Sequence, residues 1–134
     1  MRLVFLLIFW SSFVVSSIVP VNERCVTSIT TAYAYIPFTD SPLKTLGQRC
    51  TSPFAVTLIY ASSEKYCTTY EREAGISALK ILCKDAGTEL LSRESLAGNL
   101  TDDAVQNMRA LDYLELSFDE KIDYPVLLSK TYYD

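Results

Sequence analysis

Cys25, Cys50, Cys67 and Cys83 are the only cysteines of this chain, and all four follow a segment built like an export signal. Met1-Arg2 carries one positive charge, residues 3–10 are an unbroken apolar run, and Ser11-Ser12, Phe13-Val14-Val15 and Ser16-Ser17 follow. A charged start, an apolar middle and small residues near a cleavage point are the layout of a secretory leader. Val15 and Ser17 can fill the tight pockets of a signal peptidase, which places the cut after Ser17. The competing reading is an uncleaved anchor. A spanning helix needs about 20 mostly apolar residues, whereas residues 3–19 are interrupted by four serines and stopped by Pro20. The expectation is a leader over residues 1–17, a mature domain over 18–134, no membrane span after the leader, and a secreted or cell-surface location.

In an oxidising compartment an even number of cysteines in one small domain predicts two disulfides. A zinc site needs closely spaced ligands such as C-x-x-C, and the gaps here are far wider. A catalytic dithiol has the same requirement. Spacing by itself leaves three pairings open.

Composition removes several chemistries. The chain has 134 residues and no histidine, so a Ser-His-Asp or Cys-His nucleophile and a bis-His haem site are out of reach. Its net charge is −4; removing the leader takes Arg2 away and leaves 11 basic residues (12 less one) against 16 acidic. A chain of that balance with no basic run is not a nucleic-acid binder. Four glycines form neither a G-x-G-x-x-G nor a G-x-x-x-x-G-K loop. The expectation is a protein with no cofactor and no catalytic residues.

Helical spacing is the dominant local signal. Cys25, Ile29, Tyr33 and Ile36 fall on one face of a helix beginning at Asn22 or Glu23 and ended by Pro37. Residues 39–49, with Pro42 and Gly47, read as a loop. Ser52-Pro53 opens a second helix, with serine as the cap and proline at the first helical position; residues 56–60 have the β-branched and aromatic content of a strand, but the cap favours helix. Thr68 and Glu71 form a capping box for a third helix, whose apolar face is Ile76, Leu79, Leu82, Cys83 and Ala86 and whose end is Gly87. Residues 92–97 supply one or two turns. Thr101 caps a last helix carrying Val105, Met108 and Leu111, and residues 124–128 are extended or irregular.

These elements predict an all-α domain, a small disulfide-stabilised bundle of four to five short helices. The second and third helices share a short connection and should run antiparallel. Cys50, before the second helix, then meets Cys83, near the end of the third. If the first helix is also antiparallel, Cys25, opening it, meets Cys67, closing the second. The predicted bridges are therefore Cys25–Cys67 and Cys50–Cys83.

Three polar groupings are candidates for chemistry. Asp112, Glu115, Asp119, Glu120 and Asp123 could hold a hard cation through oxygen ligands, although their spacing is not that of an EF-hand and a solvated acidic face explains them; no metal site is assigned. The nine tyrosines could stack a ligand or bind ferric iron through phenolate, but in a small secreted domain packed rings with wet hydroxyls are the commoner explanation. Glu71 and Glu73 resemble an acid–base pair, yet Glu71 belongs to the cap. Asn99-Leu100-Thr101 is an N-glycosylation sequon, which predicts a glycan at Asn99 on an exposed turn.

Several phrases carry a family likeness: CVTSITTAYAY at 25–35, CTSP at 50–53, IYASSEKYC at 59–67, NLTDD at 99–103 and PVLLS at 125–129. They resemble the N-terminal extracellular region of fungal ferric-chelate reductases over nearly the whole mature chain. In that family the region follows a signal peptide and precedes membrane haem, flavin and NADPH domains. The resemblance implies a role beside iron or copper reduction at the cell surface. The 134 residues hold no haem histidine, flavin motif or nucleotide loop, so only the four-cysteine ectodomain carries over. The expected function is a secreted, non-catalytic ectodomain-like protein with an unidentified protein or cell-surface partner. The alternatives are a small secreted fungal effector or surface-interaction protein and, third, a metal-binding module using the acidic cluster.

Overall fold

A computed structural model describes residues 19–32, 36–42, 45–112 and 120–129 of the chain. A 3₁₀ turn, Val21–Glu23, runs into helix α1 (Arg24–Ala32). Helices α2 (Leu46–Thr51), α3 (Pro53–Tyr66) and α4 (Thr69–Asp85) follow, then a second 3₁₀ turn, Glu94–Asn99, and helix α5 (Asp102–Gln106). Strands β1 (Arg109–Leu111) and β2 (Val126–Leu128) pair in parallel, Ala110 opposite Leu127. The architecture is a predominantly helical bundle held by two disulfides, as the sequence predicts, with one small sheet added.

Helix α3 is the centre. Every residue from Ala55 to Ser63 is buried, and α1, α2, α4, β2 and the second 3₁₀ turn all pack on it. A helix buried on all sides needs no polar face, which explains why residues 56–60 read equally well as a strand. Its start is doubly capped. Ser52 Oγ accepts from Ala55 N–H (3.1 Å) and donates to Asp40 Oδ1 (2.6 Å), while Phe54 N–H donates to Asp40 Oδ2 (3.0 Å). A carboxylate at this end also meets the positive end of the helix dipole.

The bridges are Cys25–Cys67 and Cys50–Cys83, with Cα separations of 5.9 and 6.0 Å, ordinary values for a disulfide. All four cysteines are buried. The ends of α3 and α4 thus meet twice, through Cys67-Thr68 in the chain and through Cys50–Cys83 in space, so the two helices run antiparallel. Thr68 and Glu71 form the predicted capping box. Gly87, at a φ of 82°, takes the left-handed conformation that stops α4.

Four details depart from the sequence reading. Ile36 is not part of helix α1, whose described span is Arg24–Ala32; it precedes Pro37, which disfavours helical backbone before it, and is buried instead in a bend. Residues 33–35 lie outside the described segments. The supposed loop over 39–49 contains the start of α2, capped by Thr45 Oγ1 accepting from Gln48 N–H. Gly47, read as a breaker, sits in its first turn, where the cap offsets the glycine. Leu82 and Ala86 belong to the outside of α4, with Leu82 52% exposed. The buried stripe is Gly75, Ile76, Leu79 and Cys83, because α4 is an outer helix covered on one narrow side. The last helix stops at Gln106, and Leu111 is drawn into β1 by pairing with Leu128.

At Gly75 helix α4 lies close against Val26 of α1. A Cβ there would overlap Val26 Cβ and lie 2.5 Å from its Cγ2. Gly75→Ala should therefore lower stability by about 1–3 kcal/mol, measured by urea unfolding with the bridges intact. Val26→Ala should not rescue it, because the overlap includes Cβ itself; Val26→Gly should.

The backbone and then the side chain of Thr68 hold the Glu71 carboxyl below its ordinary value of 4.5. A carboxylate lowered in the folded state adds stability above its unfolded value and loses it as pH falls through the folded one. The start of α4 should thus weaken on acidification below about pH 4.5. Glu71→Ala should abolish that part of the difference between unfolding midpoints at neutral and acid pH.

Candidate interaction groove and glycan acceptor

Three side chains of α3 reach outward to hold later segments. Ser62 Oγ accepts from Leu128 N–H (3.0 Å) and the Tyr66 hydroxyl donates to Leu128 O (2.8 Å). They satisfy the edge of β2 that faces the helix. The Tyr60 hydroxyl donates to Leu91 O (2.8 Å). Burial pushes its phenol above the ordinary value of 10.0; Glu94 adds to the rise, Arg93 opposes it and Glu64 reinforces it. Thr57 Oγ1 is buried in the same helix with no hydrogen-bond partner among the described residues.

With β2 held on α3 and β1 held on β2, a groove of about 500 Å³ opens between α3, the 100–108 segment and the sheet. Its floor is apolar: Ala61, Leu100 and Leu127 are buried, with Val105 and Met108 half-buried beside them. The rim is charged. Arg93 Nε donates to Glu64 Oε1 at 2.7 Å, and Lys65 and Asp102 complete the border. The Arg93–Glu64 pair is 45% and 30% exposed, so water screens it and it contributes at most about 1 kcal/mol. Ser129 N–H donates to Leu111 O (2.9 Å). Because successive residues of a strand alternate sides, Ala110 turns its N–H and C=O away from β2. An apolar floor with a charged rim has the anatomy of a protein–protein contact.

The predicted site residues are distributed as follows. The four cysteines form the two expected pairs. Asn99 ends the second 3₁₀ turn and is exposed, one residue before Leu100 on the groove floor. Thr101 of the sequon is also the cap of α5, its Oγ1 accepting from Ala104 N–H at 3.1 Å.

The acidic cluster does not come together in the described part. Glu120 instead accepts from Arg109 Nη1 (2.7 Å), which also donates to the Tyr124 hydroxyl (2.7 Å), and these bonds raise the arginine's value further. Glu115 and Asp119 lie outside the described residues, and among those described no three His, Cys, Asp or Glu side chains converge as a metal site. Glu71 is occupied by its cap. Tyr60 and Tyr66 have packed rings and used hydroxyls, and Tyr70 is 70% exposed. Tyr33, Tyr35, Tyr113, Tyr132 and Tyr133, like residues 1–18, fall outside the described segments. Among the described residues no helix is long and apolar enough to cross a membrane.

Sequence reading did not find the groove. Its parts come from residues 61–65, 93, 100–110 and 127, and no local spacing marks them as neighbours. Compared with known proteins, the chain matches no family model, no curated protein and no solved structure.

Proposed function

We propose that this chain is an exported, non-catalytic interaction domain, related to the extracellular region of fungal ferric-chelate reductases and serving iron or copper acquisition at the cell surface. The observation that supports export is the wiring. Every cysteine is consumed in a buried bridge that joins helix ends. Such bridges persist where thiols are oxidised, which agrees with the leader-like residues 1–17.

The resembling phrases support the family link by where they fall. Residues 25–32 form most of α1 and bring Cys25; residues 50–53 join α2 to α3 and bring Cys50; residues 59–67 are the second half of α3 and bring Cys67. Three of the five phrases therefore fall on the bridged helices. The groove, with its apolar floor and charged rim, has the anatomy of a surface that receives a protein partner. It equally favours the second reading, a small secreted effector or surface-interaction protein.

Three measurements test these readings. The protein should be recovered from culture medium with no reactive thiol before reduction; its absence from the medium would remove the export reading, and thiols open to alkylation would remove the bridged scaffold. Transcript levels should rise several-fold on iron or copper starvation. Induction by host contact with no response to metal would favour the effector reading, and NADPH-dependent reduction of a ferric chelate by the purified protein would overturn the non-catalytic one.

A further inference from the structure

The three residues of the sequon meet the fold in three different ways. Asn99 presents its side chain to solvent at the end of a 3₁₀ turn. Leu100 is 5% exposed, a member of the core, and its N–H donates to Ala97 O at 3.1 Å. Thr101 holds the start of α5 through its hydroxyl, which accepts from Ala104 N–H. An asparagine receives a glycan only when a transferase draws the asparagine, its successor and the threonine hydroxyl into one splayed segment, with the hydroxyl beside the reacting amide. In the folded chain that movement would pull Leu100 out of the core and strip the cap from α5.

We propose that Asn99 is a glycan acceptor open only before this segment folds, with an oligosaccharide carried on a lipid pyrophosphate as the donor. In the transfer, Asn99 Nδ2 bonds to C1 of the first sugar. The bond from C1 to the pyrophosphate oxygen breaks, the lipid pyrophosphate departs, and the amide gives one proton to a base of the transferase. The fold accommodates the product, because the Asn99 side chain is exposed, but refuses the reaction. The inference rests on the export reading for its place in the cell.

The order of synthesis leaves time for it. All four cysteines precede Asn99, yet β2 begins 27 residues after it (126 less 99). Leu127 of β2 shares the groove floor with Leu100, so the packing that anchors Leu100 is incomplete until β2 arrives. At a synthesis rate of 5–20 residues per second the interval is about 1–5 s.

The test uses the full chain made without glycan in a bacterial host. One portion is oxidised and folded, and another is reduced and alkylated. Each is incubated with purified oligosaccharyltransferase and a lipid-pyrophosphate oligosaccharide, and the product is read by intact mass. The open chain should gain one glycan, lost in Asn99→Gln, and the folded chain should gain it at least tenfold more slowly. Equal rates in the two states would overturn the inference, as would an open chain that takes no sugar or one that still takes it as Asn99→Gln. Export is read separately, by protease protection of the chain translated with microsomes. A chain left outside the vesicles would remove the export reading without changing the acceptor result.

Discussion

Helix α3 is enclosed on every side, and that enclosure sets the task of the remaining chain. An enclosed helix is stabilised by its neighbours rather than by its own pattern. Here the disulfides attach those neighbours at its two ends. Cys67, the C-cap of α3, is tied to Cys25 at the start of α1. Cys50, in α2 just before α3, is tied to Cys83 near the end of α4. The bridges close spans of 42 and 33 residues, each contributing about 4 kcal/mol on the chain-entropy model before native strain subtracts. That is a large share of the stability of a typical small domain.

Enclosure also explains the polar residues carried by so apolar a helix. Ser62 and Tyr66 hold β2, and Tyr60 holds the backbone at Leu91. Ser63 satisfies itself on Tyr60 O. Asp40, from the preceding loop, closes the other end by bonding Ser52 and Phe54. A second tie fixes that loop: Ile122 N–H donates to Pro37 O and Thr39 N–H to Ile122 O, both at 2.9 Å. The segments after Gly87 are thus joined to α3 by these hydrogen bonds as well as by their buried apolar side chains. This is the part of the molecule that carries both the groove and the sequon.

The legibility of each feature follows its range in sequence. Thr68 with Glu71, Ser52 with Pro53, and Thr101 with its acidic first turn are signals within four residues, and each marks a real helix start. The face of α4 was legible only in part. Gly75, which the apolar spacing left out, lies buried against Val26 of α1, and Leu82, which it included, faces solvent. Leu111 continued a helical spacing and became a strand, since its partner Leu128 stands 17 residues away (128 less 111). The groove was illegible for the same reason, as its floor joins Ala61 to Leu127.

The sequence by itself determined the helical class, the caps, the two bridge pairings and the exposed position of Asn99, because each follows from short-range chemistry or from the ends of antiparallel helices. Only the tertiary structure decided which side of α4 is buried, that β1 and β2 pair, and that Leu100 is locked into the core beside the exposed Asn99. Those outcomes depend on which distant surfaces meet, and burial, unlike a hydrogen-bonded cap, is a property of the neighbours a residue is given.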